Sequence, residues 1–155
     1  MMLTLREVTL DNFDECIALR ITDEQHALEF VDTTIYSLAY SKVNPIWQPF
    51  AIYDRIDNVD TMIGFVLYGW LESDVGAIDA ILIDQRYQQQ GYGRAVMLLL
   101  IDQFRASGKC RVLKLTHNPL NTVAARLYAS LGFAYIDEYW WGEHVMQIEF
   151  SPKVE

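Results

Sequence analysis

The chain has 155 residues, 52% of them hydrophobic and 21% charged, which suits a single folded domain with a buried core and excludes a disordered chain. Twelve Lys and Arg residues against 21 Asp and Glu give a formal net charge of −9, which disfavours nucleic acid and anionic membranes as partners and favours a cationic ligand. No apolar stretch approaches the roughly 18 residues that a membrane-spanning helix needs.

The predicted elements of the first half are a strand, two capped helices and a β-hairpin. The helices begin at residues that favour the N-cap position, and a proline closes the second helical region. In chain order they are a strand at Leu3–Val8, a helix capped by Asp11 or Asn12, a helix capped by Thr33 or Thr34 and closed by Pro45, and strands Pro49–Tyr53 and Met62–Trp70, joined by the polar turn Asp54–Asp60.

The second half alternates strands and helices and ends in another hairpin. This order predicts a mixed α/β sheet in which the main helix crosses over to the strand that follows it. The elements are strand Gly76–Asp84, helix Gly91–Ser107 with Gly108 after its end, strand Arg111–Thr116, a helix from Asn121, and strands Phe133–Trp141 and His144–Phe150.

Few cysteines and histidines argue against a disulfide framework or a metal centre. Cys16 and Cys110 are too few for several disulfides or a thiolate zinc site, and the three histidines lack metal-ligand spacing. Charged residues from Arg6 onward disfavour a secretory signal. We therefore expect one cytoplasmic domain over residues 1–155, with reduced thiols and no metal. The sequence does not fix the oligomeric state, and a homodimer is compatible with it.

The segment Gln88–Arg94 joins an apolar strand to the main helix and carries two glycines. Backbone N–H groups at a helix N-terminus bind phosphates, and glycines at positions 91 and 93 let a ligand approach the backbone closely. The dinucleotide fingerprint is incomplete, because Val96 stands at its third position and no carboxylate follows near residue 113. The Gly-Lys-Ser/Thr of nucleoside-triphosphatases is also missing. A glycine pair at a strand-to-helix turn is the alternative explanation.

Two motifs together resemble the GNAT superfamily of N-acetyltransferases. Gln88–Arg94 is similar to its acetyl-coenzyme A signature Q/R-x-x-G-x-G/A, and Asn121–Phe133 is similar to its N-x-x-A-x-x-L-Y-x-x-x-G-F helix and exit. They occur in family order, about 30 residues apart. The resemblance covers nearly the whole chain. It implies a mostly antiparallel central sheet with splayed middle strands flanked by helices, and acetyl-CoA as cosubstrate.

The resemblance also implies which residues hold the cofactor. The strand Ile81–Ile83 would pair its backbone with the pantetheine arm, and Asn121 would reach the pantetheine or a diphosphate oxygen. Two positions depart from the family pattern, since Gln88 stands where a basic residue is common and Gln89 where many members carry glycine. The expected cofactor-binding residues are Ile81, Leu82, Ile83, Gln88, Gln89, Gln90, Gly91, Tyr92, Gly93, Arg94 and Asn121.

Amine acetylation needs an acceptor for the amine proton and a donor for the departing thiolate. Tyr128 occupies the family's tyrosine position facing the coenzyme sulfur, and a phenol can protonate or hydrogen-bond a thiolate; its alternative role is a core aromatic. Asp79, two residues before Ile81 and expected on the same face, is the leading base, with substrate anchoring as the alternative. Glu72 is the second choice.

The first half of the chain and the segment 142–146 resemble bacterial spermine/spermidine acetyltransferases. This implies a small-molecule amine substrate in an acidic groove lined by tryptophan faces. Other N-acetyltransferases, acting on a protein N-terminus, an amino acid or an aminoglycoside, and a non-catalytic coenzyme A-binding module remain as alternatives. The expected substrate-binding residues are Glu24, Glu29, Glu72 and Trp70, with Asp32, Asp74, Trp47, Trp140 and Trp141 as further candidates.

Overall fold

A single seven-stranded sheet organises the chain, as seen in a computed structural model that describes residues 1–28 and 30–151. The strand order is β1-β2-β3-β4-β5-β7-β6, and all neighbours are antiparallel except β4 and β5. The elements are β1 Thr4–Glu7, α1 Phe13–Ile17, α2 Asp23–Ala27, α3 Thr34–Val43, β2 Trp47–Ile56, β3 Val59–Glu72, β4 Val75–Ile83, α4 Tyr92–Ala106, β5 Val112–Leu115, α5 Thr122–Ser130, β6 Ala134–Trp140 and β7 Glu143–Glu149.

The predicted fold class is confirmed, and the sequence missed two short elements. The α4 crossover makes β4 and β5 parallel, as the element order predicted. The helix α2 was missed although Thr22 and Gln25 form a reciprocal capping box at its start. A short 3-10 turn at Gln85–Tyr87 also went unpredicted. The first hairpin turn is tighter than expected, since β2 and β3 extend to Ile56 and Val59.

A β-bulge at Asp79 opens the middle of the sheet. In the pairing of β3 with β4, Tyr68 lies opposite Ile78 and Leu67 opposite Ala80, so Asp79 is the extra residue. The pairing of β4 with β5 stops at Ile78. Beyond the bulge, β4 continues beside β3 while β5 has ended, which leaves one edge of β4 without a neighbouring strand. This is the splay that the family resemblance implied.

The two faces of the sheet carry separate cores. On one face α4 inserts Val96, Met97, Leu100 and Phe104, all nearly inaccessible to water. On the other face the residues around Cys16, Trp47 and Leu67 pack under α1 and α3. Among residues 1–28 and 30–151, no helix is both long and apolar enough to cross a membrane. The splayed middle of the sheet lies between these two cores.

Candidate active site

The free edge of β4 carries backbone groups that no strand uses. Asp84 N donates to Ile63 O on β3, so the carbonyl of Ile83, in the same peptide unit, points the other way. Because backbone direction alternates with period two, the polar groups of Ile81 also face the opening. This edge is the wall on which an extended ligand can pair with the sheet.

A cavity of about 370 Å³ follows this edge from β4 to the start of α4. Most of the expected cofactor-binding residues line it, whereas Gln90 and Arg94 lie outside its wall. The guanidinium of Arg94 instead donates to Ser130 Oγ at 2.9 Å on the surface. The predicted residues that line the cavity are Ile81, Leu82, Ile83, Gln88, Gln89, Gly91, Tyr92, Gly93 and Asn121.

The loop before α4 has the backbone conformation of an anion cradle. Gln89 and Gly91 have φ of +60° and +85°, which turns the chain sharply and leaves the first N–H groups of α4 at the cavity end. The positive φ at Gln89 is a conformation that favours glycine, the residue that the family resemblance implied at this position. The amide cradle forms in spite of this departure.

The folded structure does not itself require glycine at position 93. Its φ is not positive, and a Cβ built on it would meet only Leu127 Cδ2, at 3.7 Å. The protein itself would therefore accept alanine at this helical position. Space kept free at the cavity wall fits the close passage of a phosphate-bearing ligand such as coenzyme A.

Hydrogen bonds made by the side chains of Gln88 and Tyr92 hold the loop in place. Gln88 Nε2 donates to Gln25 Oε1 and to Ile83 O, both at 2.9 Å, and Gln25 Nε2 donates back to Gln88 Oε1 at 3.2 Å. Tyr92 Oη donates to the buried carboxylate of Asp54 at 2.5 Å. Burial, together with this hydrogen bond, raises the pKa of Tyr92 to about 12. The carbonyl of Ile83, which was expected to pair with pantetheine, accepts the hydrogen bond from Gln88 Nε2 instead.

A second cavity, of about 600 Å³, is acidic. Asp79, Asp32 and Glu143 all line it, and Glu143 Oε1 accepts from Thr116 Oγ1 at 2.9 Å. Burial, together with the negative charges of Asp32 and Glu143, raises the pKa of Asp79 to about 6. No group of three or more His, Cys, Asp or Glu side chains within residues 1–28 and 30–151 is arranged to hold a metal ion. With this pKa, the carboxyl group of Asp79 changes charge close to neutral pH.

The two cavities meet at Tyr128. Five residues line both of them, namely Phe30, Val31, Ile81, Asn121 and Tyr128. Burial raises the pKa of Tyr128 to about 12, so its phenol keeps its proton at any physiological pH. Asn121 Oδ1 caps α5 by accepting from Ala124 N at 3.2 Å, which fixes the helix that carries Tyr128. An acyl group bound in one cavity would thus face a nucleophile bound in the other.

Three of the predicted substrate-binding residues lie away from these cavities. The Trp70 ring packs on Phe104 of α4, 5.1 Å between ring centroids, with Lys109 Nζ 4.3 Å above it. Glu72 pairs with Val75 at the far end of β4, about 13 Å along the strand from Asp79. Glu24 is exposed on α2 outside both walls. Glu29 lies outside the described residues. We therefore withdraw Trp70, Glu72 and Glu24 from the predicted groove.

Sequence reasoning missed Glu143, His117 and Gln25 as residues of the site. His117 lines the acidic cavity and is bonded at both ring nitrogens, to Asn118 O at 2.8 Å and to Tyr135 Oη at 2.7 Å. Gln25 could have been found from its capping box with Thr22, which fixes α2 next to the loop. Glu143 and His117 reach the site only through pairing of distant strands, for which the sequence carries no local signal.

Comparison with known proteins decides the family. The acetyltransferase (GNAT) family matches residues 17–133, most of the chain. The chain belongs to the GNAT acetyltransferase family. This confirms the assignment made from the two motifs, and with it acetyl-CoA as the cosubstrate.

Relatives and solved structures agree over nearly the full length. A spermine/spermidine N(1)-acetyltransferase of Bacillus subtilis (strain 168) is 29% identical over 154 residues, covering 94% of this chain and 97% of that protein. A spermidine N-acetyltransferase of Vibrio cholerae, solved with CoA and spermine, has a TM-score of 0.69 at 16% identity and covers 95% of each chain. The PaiA N-acetyltransferase of Thermoplasma acidophilum, solved with coenzyme A, has a TM-score of 0.66 at 14% identity, over 97% of this chain and 100% of that one. The structural matches establish a shared fold.

Proposed function

We propose that this acetyltransferase transfers the acetyl group of acetyl-CoA to a terminal amine of spermine or spermidine. The observation that carries the proposal is the meeting of two cavities at Tyr128, with Asp79 in the acidic one beside two further carboxylates. A polyamine carries several positive charges, and the wall of this cavity carries negative charges. The amine attacks directly, so no covalent enzyme intermediate is needed.

The cofactor arm is held by backbone more than by side chains. The start of α4 binds the pyrophosphate, and Ile81 on the free edge of β4 hydrogen-bonds the pantetheine. Acetyl-CoA supplies the thioester, whose acyl carbon is the electrophile. The chain's own contribution is to hold this arm between β4 and α5, so that reacting groups meet in a fixed orientation.

Asp79 accepts the proton that the amine must lose. A polyamine arrives as an ammonium ion, which has no lone pair for attack. Asp79 is ionised above about pH 6, and its raised pKa makes it a stronger proton acceptor than an ordinary aspartate. Asp32 and Glu143 keep the cavity negative and attract the remaining ammonium groups. Asp79 therefore anchors the incoming amine and then takes its proton.

Tyr128 stabilises the departing thiolate. With a pKa raised to about 12, its phenol keeps the proton through the whole pH range of the reaction. It acts by donating a hydrogen bond to the sulfur as negative charge develops there. The loss of a positive charge on acetylation weakens the product's attraction to the acidic cavity, which helps release.

The relatives support the choice of substrate. The Bacillus subtilis protein named as a spermine/spermidine acetyltransferase aligns along nearly all of this chain, and the Vibrio cholerae structure of the same fold was solved with spermine. The net charge of −9 points the same way, because it favours a cationic substrate over an acidic or neutral one.

A panel of amines tests the proposal. Initial rates with saturating acetyl-CoA should be highest for spermine and spermidine, and kcat/KM should fall as salt rises from 0.05 to about 0.5 M, because screening weakens the attraction. An amino acid, a peptide with a free N-terminus and an aminoglycoside serve as comparison substrates. If one of these comparison substrates is acetylated efficiently and the polyamines are not, the proposed substrate is wrong, and the protein is an acetyltransferase for another amine.

A further inference from the structure

A third cavity, of about 370 Å³, lies between α3 and the tip of the β6–β7 hairpin. Its aromatic walls are Tyr40, Trp47, Trp140 and Trp141. Trp141 also lines the acidic cavity that contains Asp79. A molecule that leaves the acidic cavity past this indole therefore enters an aromatic pocket.

Trp141 stands in a turn where folding alone disfavours it. The turn between β6 and β7 has two residues, Trp141 and Gly142, with φ of +50° and +80°. Such turns favour Asn-Gly or Asp-Gly, and a bulky residue at positive φ is strained. The β2–β3 hairpin places small polar residues at such positions, with Asp57 and Asn58 at φ of +51° and +64°. Trp141 is 76% exposed, so this strained residue contributes little to the core, and we infer a role in binding.

The helix α3 connects the acidic cavity to the aromatic pocket. Its N-cap Thr33 lines the first, and Tyr40, seven residues later, lines the second. Seven residues of helix correspond to about 10 Å along the axis. A linear tetraamine is long enough to span a separation of this size, whereas a three-carbon diamine is not.

We propose that the aromatic pocket is a second amine subsite, which takes the distal aminopropyl end of a linear tetraamine while the reacting amine lies at Asp79. Methylene groups pack on the Trp141 indole, and the distal ammonium faces the rings of Tyr40 and Trp140, an arrangement that attracts cations. The subsite makes chain length the property by which substrates are selected. It rests on the proposed function, since it adds to the same acceptor site.

The test compares kcat/KM for spermine and 1,3-diaminopropane in three variants. Trp141→Asn creates the favoured Asn-Gly turn and removes the indole, so it should fold at least as stably as the original chain. Tyr40→Leu keeps an apolar side chain on α3 and removes a ring from the pocket. The control is Tyr36→Leu, one turn earlier, whose exposed ring stacks on Tyr40 at 6.2 Å outside the cavity wall.

Both pocket variants should lower the ratio of kcat/KM for spermine to that for the diamine by about tenfold, the effect of losing one cation–π contact. Tyr36→Leu should leave the ratio unchanged. Equal losses for both substrates, or no loss, in folded Trp141→Asn would overturn the subsite and leave polyamine acetylation standing. An unmodified enzyme that acetylates neither substrate, while it acetylates another amine of the panel, would overturn the proposed substrate and the subsite together.

Discussion

Asp79→Asn should make the protein more stable and less active. The folded carboxyl has a pKa of about 6, above its ordinary value, because burial and the charges of Asp32 and Glu143 disfavour ionisation. A raised carboxyl pKa lowers folding stability at pH values above 6, and this penalty disappears as the pH falls toward 4, where the group is neutral in both states. The full difference corresponds to about 3 kcal/mol. Water reaches the cavity, so we expect about 1–2 kcal/mol.

Urea unfolding of both proteins at several pH values measures this effect. At pH 8 the Asp79→Asn variant should be more stable by that amount, and the difference should shrink toward zero between pH 6 and 4. In parallel, kcat should fall by about 10²-fold or more, and the rise of activity through pH 6 should vanish, because the proton acceptor is gone. A role in anchoring alone would raise KM and leave kcat intact.

An Asp79→Asn variant that is less stable than the original chain at pH 8 would contradict this prediction, because the Asp79 carboxylate would then be stabilised by its surroundings. A wild-type kcat in the folded variant, with the chemical step shown to limit turnover, would remove Asp79 as the base. The two results are independent, because the stability measures how the cavity affects the charge of Asp79, whereas kcat measures whether Asp79 takes part in the reaction.

Three further predictions concern single residues of the site. Gly93→Ala should weaken coenzyme A binding at least tenfold in calorimetry while thermal stability holds or rises, since alanine favours helix; unchanged affinity would remove this position from the cradle. Tyr128→Phe should preserve folding and coenzyme A affinity and lower turnover by about 10²–10⁴-fold, and wild-type turnover with chemistry rate-limiting would contradict the role. Glu143→Gln removes a like charge, so the acidic limb of the kcat/KM profile should move below pH 6; an unmoved limb would exclude Glu143 from the electrostatics of Asp79.

The sequence was most informative where local chemistry decides the structure. The glycines of the loop, the cap at Asn121 and the apolar stripe of α4 each follow from short-range rules, and the family motifs lie on them. The α4 crossover and the parallel pairing of β4 with β5 followed from element order. Nine of the eleven residues predicted for the cofactor therefore line one cavity, and their contact with the cofactor stays a prediction.

The acceptor side depends on features that no local pattern reveals. The bulge at Asp79 breaks the alternation of β4, so Ile78 and Ile81 pack on the α4 side while Ala77 and Ala80 pack on the other, and simple period-two counting from Ile81 fails there. Glu143 approaches Asp79 because Leu115 of β5 pairs with both Ile78 and Met146, residues far apart in the chain.

Trp70 was predicted to contact the substrate, and the structure places it elsewhere. It was predicted to offer its ring face to the substrate in the acidic groove, yet it packs on Phe104 in the α4 core. Trp141, which lines both acceptor-side cavities, follows a strand as part of a turn. Which tryptophan faces the cavity depends on sheet register and hairpin geometry, and these are set by tertiary packing.

Coenzyme A and a polyamine are proposed to meet between Asp79 and Tyr128. The most direct measurement is a crystal structure of the protein with coenzyme A and spermine. It should show the coenzyme sulfur within hydrogen-bonding distance of Tyr128 Oη, about 3.0–3.5 Å, and one terminal amine of spermine at Asp79, directly or through one water. Spermine bound away from Asp79, with the sulfur remote from Tyr128, would contradict the claim.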